Sequence, residues 1–221
     1  MLSIEDRIRV AEAVTAAERA SDGEIVTILA PESDSYHDVV LHWTLLLMLL
    51  GLALIAAFPQ PLIRAVEPVA AGWGPLGPGA LVATLIVVEG LLFLCGRYLF
   101  CRPAWKRALT PSATKTRRVR RRALLLFRVA AENRTRARTG VLLYLSLAER
   151  RAEIVADRAI ASRVAPETWG AAMAALIAAV RDGRPADGMV AAVERIGTVL
   201  AEHFPRSPDD INELPDRLIL L

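Results

Sequence analysis

The sequence predicts a mixed α/β domain that is interrupted by a hairpin of two transmembrane helices. Two stretches, residues 39–58 and 79–100, are almost entirely apolar and have the length of about 20 residues that a bilayer requires. Apolar residues make up 54% of the chain, and the mean hydropathy of +0.37 is high for a soluble protein. Short β-branched segments and helical segments flank the apolar stretches on both sides, as an α/β fold requires.

The chain begins with a predicted helix and a predicted strand. Apolar side chains recur at spacings of three and four through residues 3–21, which predicts an amphipathic helix. Ser3 is the expected N-cap of this helix, and Asp6 is the acidic residue of a capping box. Residues 24–30 are β-branched and apolar, so they predict a short buried strand that ends at Pro31.

Residues 59–78, between the two apolar stretches, are rich in proline and glycine, which predicts a loop. Trp73 lies in this loop, and we expect this interfacial side chain on the far side of the membrane. The second apolar stretch contains Glu89 near its middle and Arg97 near its end. An ionisable residue at the depth of Glu89 indicates a function, and the alternative is a protonated carboxyl bonded to a neighbouring helix.

Charged residues predict the orientation of the hairpin. Basic side chains crowd just after the second apolar stretch, whereas the loop has only Arg64. The basic residues are Arg102, Lys106, Arg107, Lys115, Arg117, Arg118, Arg120, Arg121 and Arg122. Because basic residues collect on the cytoplasmic side, we expect a multi-pass protein of the inner (cytoplasmic) membrane with both termini cytoplasmic.

The basic run also predicts a partner. It follows a membrane exit directly, where each basic residue near the surface gains about 1 kcal/mol from anionic headgroups. We therefore expect it to contact anionic lipids. Nucleic acid is not an expected partner, because no aromatic residues interleave the run to stack on bases.

The part of the chain after the hairpin predicts a helix, two strands and two further helices. These elements are expected at residues 116–133, 139–146, 152–157, 167–181 and 185–203. A short polar turn joins the two strands, which should therefore form an antiparallel hairpin.

The first strand needs partners, because an isolated strand is unstable, so we expect it to share a sheet with the later strand hairpin. The residues expected to share one core are Val26, Ile28, Val141 and Leu143. The predicted division of the chain is residues 1–36 for the first helix and strand, 37–101 for the transmembrane hairpin, and 102–221 for the rest of the domain and its tail.

Two blocks of the sequence carry a family resemblance. The first is residues 135–160 (TRARTGVLLYLSLAERRAEIVADRAI), followed by Trp169, and the second is residues 200–205 with residues 212–216. The blocks resemble the strand hairpin and the C-terminal helix and tail of the TPM domain, a family named for a thylakoid-lumen protein, a photosystem II repair protein and a receptor-accessory protein. The resemblance covers roughly residues 3–30 and 112–216, so the membrane hairpin is an insertion.

The resemblance implies a TPM-like αβα sandwich with a small mixed sheet. Some members of the family are described as acid phosphatases or calcium binders, and others assist the assembly or repair of membrane complexes. This sequence departs from the commoner pattern in two ways. Ala159 stands where a glycine often follows the third strand, and the membrane anchor is an insertion within the domain.

No standard catalytic motif is present in the sequence: it lacks a phosphate-binding glycine loop, a paired-histidine metalloprotease helix, a nucleophile elbow and a cysteine pair at metal spacing. Tyr144 and Ser146 alternate on one predicted strand beside the acidic residues of the next. Asp22, Glu24 and Asp157 at strand ends could hold calcium, which favours several oxygen ligands. The alternative is that these are exposed turn carboxylates.

Two classes of function follow. The first is a non-enzymatic accessory or scaffold protein for a membrane complex, because no catalytic constellation is recognisable and the domain is tethered close to the membrane. Its expected partners are anionic lipids and either another membrane protein or a second copy of the chain. The alternative is a metal-dependent, calcium-binding phosphatase of the TPM type, which rests on the resemblance and on the carboxylates at the strand ends.

Overall fold

The structure, a computed structural model, describes residues 2–70, 77–132, 139–208 and 212–221. Trp73 and residues 135–138 of the first resemblance block lie outside the described residues. The chain divides into two compact units. One combines Met1–Asp34 with Ser112–Leu221, and the other is Ser35–Pro111.

The described residues form helices and four short strands. In chain order they are α1 (Ile4–Glu18), β1 (Glu24–Ala30), α2 (His37–Ala57), α3 (Gln60–Ala70), α4 (Pro78–Phe100), α5 (Pro103–Leu109), α6 (Ser112–Ala130), β2 (Gly140–Ser146), β3 (Arg151–Ala156), α7 (Arg158–Ala161), a 3₁₀ helix (Pro166–Trp169), α8 (Gly170–Arg181), α9 (Pro185–His203) and β4 (Ile219–Leu220).

Local sequence signals explain the ends of several helices. The Asp6 N–H donates to the Ser3 hydroxyl at 3.0 Å and the Ser3 N–H donates to the Asp6 carboxylate at 3.1 Å, which is the predicted capping box of α1. Proline begins both α4 and α9, where a missing N–H costs nothing. Gly183 joins α8 to α9 with a φ of 76°, a left-handed conformation that favours glycine.

The four strands form one mixed sheet in the order β3-β2-β1-β4. β1 runs parallel to β2 and β4, whereas β2 and β3 are antiparallel. Ile25 is the partner of Val141 across β1 and β2, and Tyr144 is the partner of Glu153 across β2 and β3. The predicted mixed α/β fold and antiparallel strand hairpin are confirmed, and the first strand shares their sheet although the two apolar helices separate them in sequence.

Helices cover both faces of the sheet. Side chains of α1, α8 and α9 form a core on one face, and those of α6 form a core on the other. Val26 and Ile28 lie in the α6 core, whereas Val141 and Leu143 lie in the opposite core. All four are buried as predicted, but the expectation of a single core was wrong. Ile25 is paired with Val141 and points to the same face of the sheet. Because successive side chains of a strand point to opposite faces, Val26 and Ile28 point to the other face.

The second unit holds the two predicted spans as α2 and α4. They pack antiparallel, because a Cβ at Gly51 would contact Leu92 and a Cβ at Gly96 would contact Thr44. The predicted loop between the spans is wrong in part, since Gln60–Ala70 is helical. Its prolines suggested a loop, but Pro61 falls in the first turn of α3, where proline is tolerated.

Among the described residues, two helices are long and apolar enough to cross a membrane, His37–Ala57 and Pro78–Phe100. Only 11% and 6% of their most apolar windows are buried. A core helix of a soluble protein buries most of its apolar surface, whereas these helices leave many leucine side chains exposed. Apart from the contact between α2 and α4, their surfaces match the apolar character of lipid tails.

Candidate functional site

Carboxylates collect at the end of the sheet where β1 and β2 begin and β3 ends. Glu24 is the partner of Gly140 in the sheet, and the Asp157 N–H donates to the Gly140 carbonyl at 2.8 Å. Glu24 and Asp157 therefore flank one residue of β2, and Asp22 lies in the turn that leads into β1. The three predicted metal ligands thus belong to one end of the sheet.

Glu24 is buried and holds the C-terminal tail. Its two carboxylate oxygens accept the backbone N–H groups of Glu213 at 3.2 Å and Leu214 at 3.1 Å. Such charge-assisted bonds are roughly twice as strong as neutral ones. The side chain therefore fixes the tail against the first strand.

Asp22 has a similar structural role in the turn before β1. Its carboxylate accepts the N–H of Ser207 at 2.6 Å. Its backbone carbonyl accepts the Thr139 hydroxyl at 2.7 Å, and its N–H donates to the carbonyl of Phe204 at 3.0 Å. Asp22 therefore links the start of β1 to the segments before β2 and after α9.

Asp157 differs from the other two because one of its oxygens is buried without a hydrogen-bond partner in the described part of the chain. The residue is buried and caps the short helix α7, where its other oxygen accepts the N–H of Arg158 at 2.7 Å. A buried carboxylate oxygen without a partner is costly. This oxygen has the capacity to accept a further donor or cation.

Glu18, which the sequence prediction missed, is the most perturbed group of the site. Its side chain is 8% exposed, and one carboxyl oxygen accepts the N–H of Ile25 at 2.7 Å. Burial raises the pKa of Glu18 to about 9, and the nearby Glu24 and Asp216 add to the rise while the Ile25 hydrogen bond opposes it. Glu18 is therefore protonated at neutral pH.

Asp216, in the tail, completes this acidic group. Its carboxylate accepts the Thr15 hydroxyl and the Asn212 side-chain amide, both at 2.6 Å. A signal for Glu18 was present in the sequence, since it continues the buried positions Val10 and Val14 at a spacing of four. No local pattern pointed to Asp216, which comes close through the path of the tail.

The sequence predicted a calcium site formed by three of these carboxylates. Within the described ranges, no group of three histidine, cysteine, aspartate or glutamate residues is placed to hold a metal ion. Both oxygens of Glu24 and one of Asp22 already accept backbone N–H groups. The assignment of Asp22, Glu24 and Asp157 as metal ligands stays a prediction from the sequence.

Tyr144 and Ser146 lie at the opposite end of β2 from Asp157. The Tyr144 and Ser33 hydroxyls form a hydrogen bond of 2.9 Å, and the Ser33 N–H donates to the Glu149 carboxylate at 3.1 Å. Ser146 also forms a hydrogen bond with Glu149. This polar group fastens the segment after β1 to the β2–β3 turn, and it does not join the carboxylates at the other end.

The segment that contains β2 and β3 is similar to a known family. Residues 108–199, from the end of α5 to most of α9, match the family model of the TPM domain. The match covers less than half of the chain. The match excludes α1, β1 and the two apolar helices.

One solved structure similar to this chain is the NMR structure of the BA42 protein from the psychrophilic bacterium Bizionia argentinensis. The TM-score is 0.58 with 18% sequence identity, and the alignment covers 100% of this chain and 96% of the other. At that identity the likeness shows the fold alone. No curated protein matches the chain.

The two apolar helices enclose Glu89. Both carboxyl oxygens of Glu89 are buried and have no hydrogen-bond partner among the described residues. They face α2, because a Cβ at Gly51 would lie 3.6 Å from one of them. Gly51 provides space for the carboxyl but no side-chain donor.

The basic run lies mainly on α6. Val119, Ala123 and Phe127 of α6 are buried against the sheet. Most of its arginines are exposed, while Arg118 forms an ion pair of 2.5 Å with Asp34. The helix therefore combines an apolar inner side with a basic outer side.

Proposed function

We propose that this protein is a membrane-anchored TPM-domain protein that acts as a non-enzymatic accessory or scaffold for a membrane complex. The observation that carries the proposal is the use of the carboxylates at the sheet end. Glu24 and Asp22 bind backbone N–H groups of the tail, and Glu18 is protonated at neutral pH. These carboxylates stabilise the fold, and none of the three is available to act as a general acid or base for hydrolysis.

Aromatic side chains at one end of the helix pair support the membrane anchor. Tyr98 near the end of α4 stacks with Arg102, whose guanidinium carbon lies 5.1 Å from the ring centre. The Trp43 ring N–H, in α2, donates to the Leu109 carbonyl at 3.2 Å. Tyrosine and tryptophan collect at membrane interfaces, and the basic run begins at this same end. We infer a multi-pass protein of the inner membrane with both termini cytoplasmic.

Glu89 supports a partner inside the membrane. A carboxyl without a hydrogen-bond partner in an apolar helix pair is rare, and such residues usually contact another helix or a cavity. The partner is another membrane protein or a second copy of this chain.

Asp157 favours the alternative function, a metal-dependent phosphatase. One of its oxygens lies at the same sheet end as Glu24 and is the one buried atom of the predicted ligand set with no partner among the described residues. Phosphoryl transfer also needs positive charge on the transferred group, which the neighbouring Arg158 could supply.

The test compares phosphomonoester hydrolysis by the full-length protein in detergent, with and without calcium or magnesium. We expect the wild-type rate to match that of Asp157→Asn under every condition. The control is Asp182→Asn, which removes an exposed carboxylate from the end of α8. Metal-stimulated hydrolysis that is lost in Asp157→Asn and kept in Asp182→Asn would refute the scaffold role and establish the phosphatase.

A further inference from the structure

The outer side of α6 carries apolar residues as well as arginines. Leu124, Leu125 and Val129 are 40%, 48% and 68% exposed. Arg117 and Arg121 are exposed on the same side, opposite the buried Val119, Ala123 and Phe127. With Arg128 they complete a surface that we call the outer α6 face: Arg117, Arg121, Leu124, Leu125, Arg128 and Val129.

We propose that the outer α6 face lies on the anionic lipid surface of the membrane, with its leucines and valine at the boundary of headgroups and acyl chains and its arginines on lipid phosphates. This inference rests on the proposed membrane anchor. An interfacial helix of this kind is basic on its polar side and keeps leucine-type residues for the lipid.

Charge identifies lipid as the occupant. Residues 112–130 contain six arginines and one lysine and no acidic residue. A second copy of the chain on this face would bring arginines against arginines, which disfavours self-association. Nucleic acid does not suit it either, since the aromatic ring of Phe127 is buried and the exposed apolar residues would contact phosphates. Anionic lipid satisfies both the arginines and the apolar side chains.

The length of the connecting chain supports the same occupant. Only residues 101–111 separate the end of α4 from the start of α6. Fully extended, they span at most about 40 Å, and the helical α5 shortens this reach. If α4 crosses the membrane, α6 therefore begins within reach of the headgroups, where basic residues gain about 1 kcal/mol each.

The experiment places a single fluorescent label on full-length protein in vesicles. Cys95→Ala and Cys101→Ala remove the native thiols, and Leu125→Cys receives an NBD label. The matched control is Ile8→Cys, an equally exposed apolar position on α1. The vesicles contain phosphatidylcholine alone or with phosphatidylserine, and lipid-borne spin labels serve as quenchers.

We expect the label at position 125 to show a blue-shifted emission and strong quenching in vesicles with phosphatidylserine, and the label at position 8 to show neither. Replacing Arg117, Arg121 and Arg128 with glutamine should abolish the shift at position 125. The control with equal charge change, Arg19→Gln, Arg181→Gln and Arg195→Gln, should retain it.

Other outcomes overturn the proposal separately from the anchor. Extraction with alkaline carbonate tests the anchor, because it removes proteins that do not span the membrane. If the protein stays in the vesicles but the label at position 125 has the same emission and quenching as the label at position 8, the lipid contact is wrong and the anchor stands. Release of the protein by carbonate refutes the anchor and this inference with it. An emission shift at position 125 that is equal with and without phosphatidylserine would assign the face to neutral lipid. An emission shift that increases with the amount of protein per vesicle would assign it to a second copy of the chain.

Discussion

At the scale of residues, the buried carboxyl of Glu18 makes the stability of this domain depend on pH. Glu18 is protonated in the folded domain at neutral pH, because burial raises its pKa to about 9. In the unfolded chain a glutamate has a pKa of about 4.3. The folded domain therefore binds one more proton than the unfolded chain between these values, and its stability falls as pH rises through this window.

Glu18→Gln should remove this pH dependence, since glutamine can still accept the Ile25 N–H and never ionises. We expect the variant to gain on the order of 1 to 3 kcal/mol of unfolding free energy at pH 8 relative to wild type. The two proteins should converge near pH 4. Pulse proteolysis of the full-length protein in detergent across pH measures the difference, and parallel pH profiles would contradict the assignment.

The buried hydroxyl of Thr27 is expected to lower the stability of the domain. Its hydroxyl is buried in the sheet and has no partner within the described residues. Thr27→Val keeps the shape and removes the unpaired hydroxyl, so we expect a gain of about 1 kcal/mol in unfolding free energy. Thr15→Val is the control and should lose stability, because the Thr15 hydroxyl donates to Asp216. A loss in Thr27→Val by the same proteolysis assay would mean that the hydroxyl has a partner.

At the scale of elements, the sheet depends on β1 although it lies before the two apolar helices in sequence. Ile28→Asp places a charge in the α6 core and should destabilise the domain by more than about 4 kcal/mol. The readout is protease resistance of the β2–β3 segment in the full-length protein. Ile8→Asp, at an exposed position of α1, should leave that resistance intact. Resistance retained in Ile28→Asp would show that β1 is dispensable.

Glu89, between α2 and α4, is expected to contribute to association with a partner in the membrane. Glu89→Gln keeps the shape and hydrogen-bonding groups of the neutral acid, so we expect it to preserve association in the membrane, whereas Glu89→Leu should weaken it severalfold. Crosslinking in native membranes through the exposed Cys95 on the same helix measures association. Equal yields for the leucine variant and wild type would exclude a binding role for Glu89.

At the scale of the whole molecule, the basic run predicts that both termini lie in the cytoplasm. A reporter that is active only outside the cytoplasm should remain inactive when it is fused after Leu221. The same reporter inserted at Trp73 should be active. Activity after Leu221 would reverse the topology.

The sequence by itself determined the elements whose cause is local. Spacings of three and four, a capping box and β-branched runs placed α1, β1, α9 and the strand hairpin within a few residues of their ends. The two apolar helices followed from length and composition. The family resemblance rested on blocks that belong mainly to β2, β3 and α9, and most of these residues lie in the family match.

Only the tertiary structure decided which groups meet. The parallel register of β1 and β2 divided the predicted core between two faces, and the path of the tail brought Leu214 and Asp216 to Glu24 and Glu18. The two-residue strand β4 and the raised pKa of Glu18 also depend on contacts between residues far apart in sequence. No local pattern encodes such contacts, because burial and hydrogen bonding at these positions are set by distant segments.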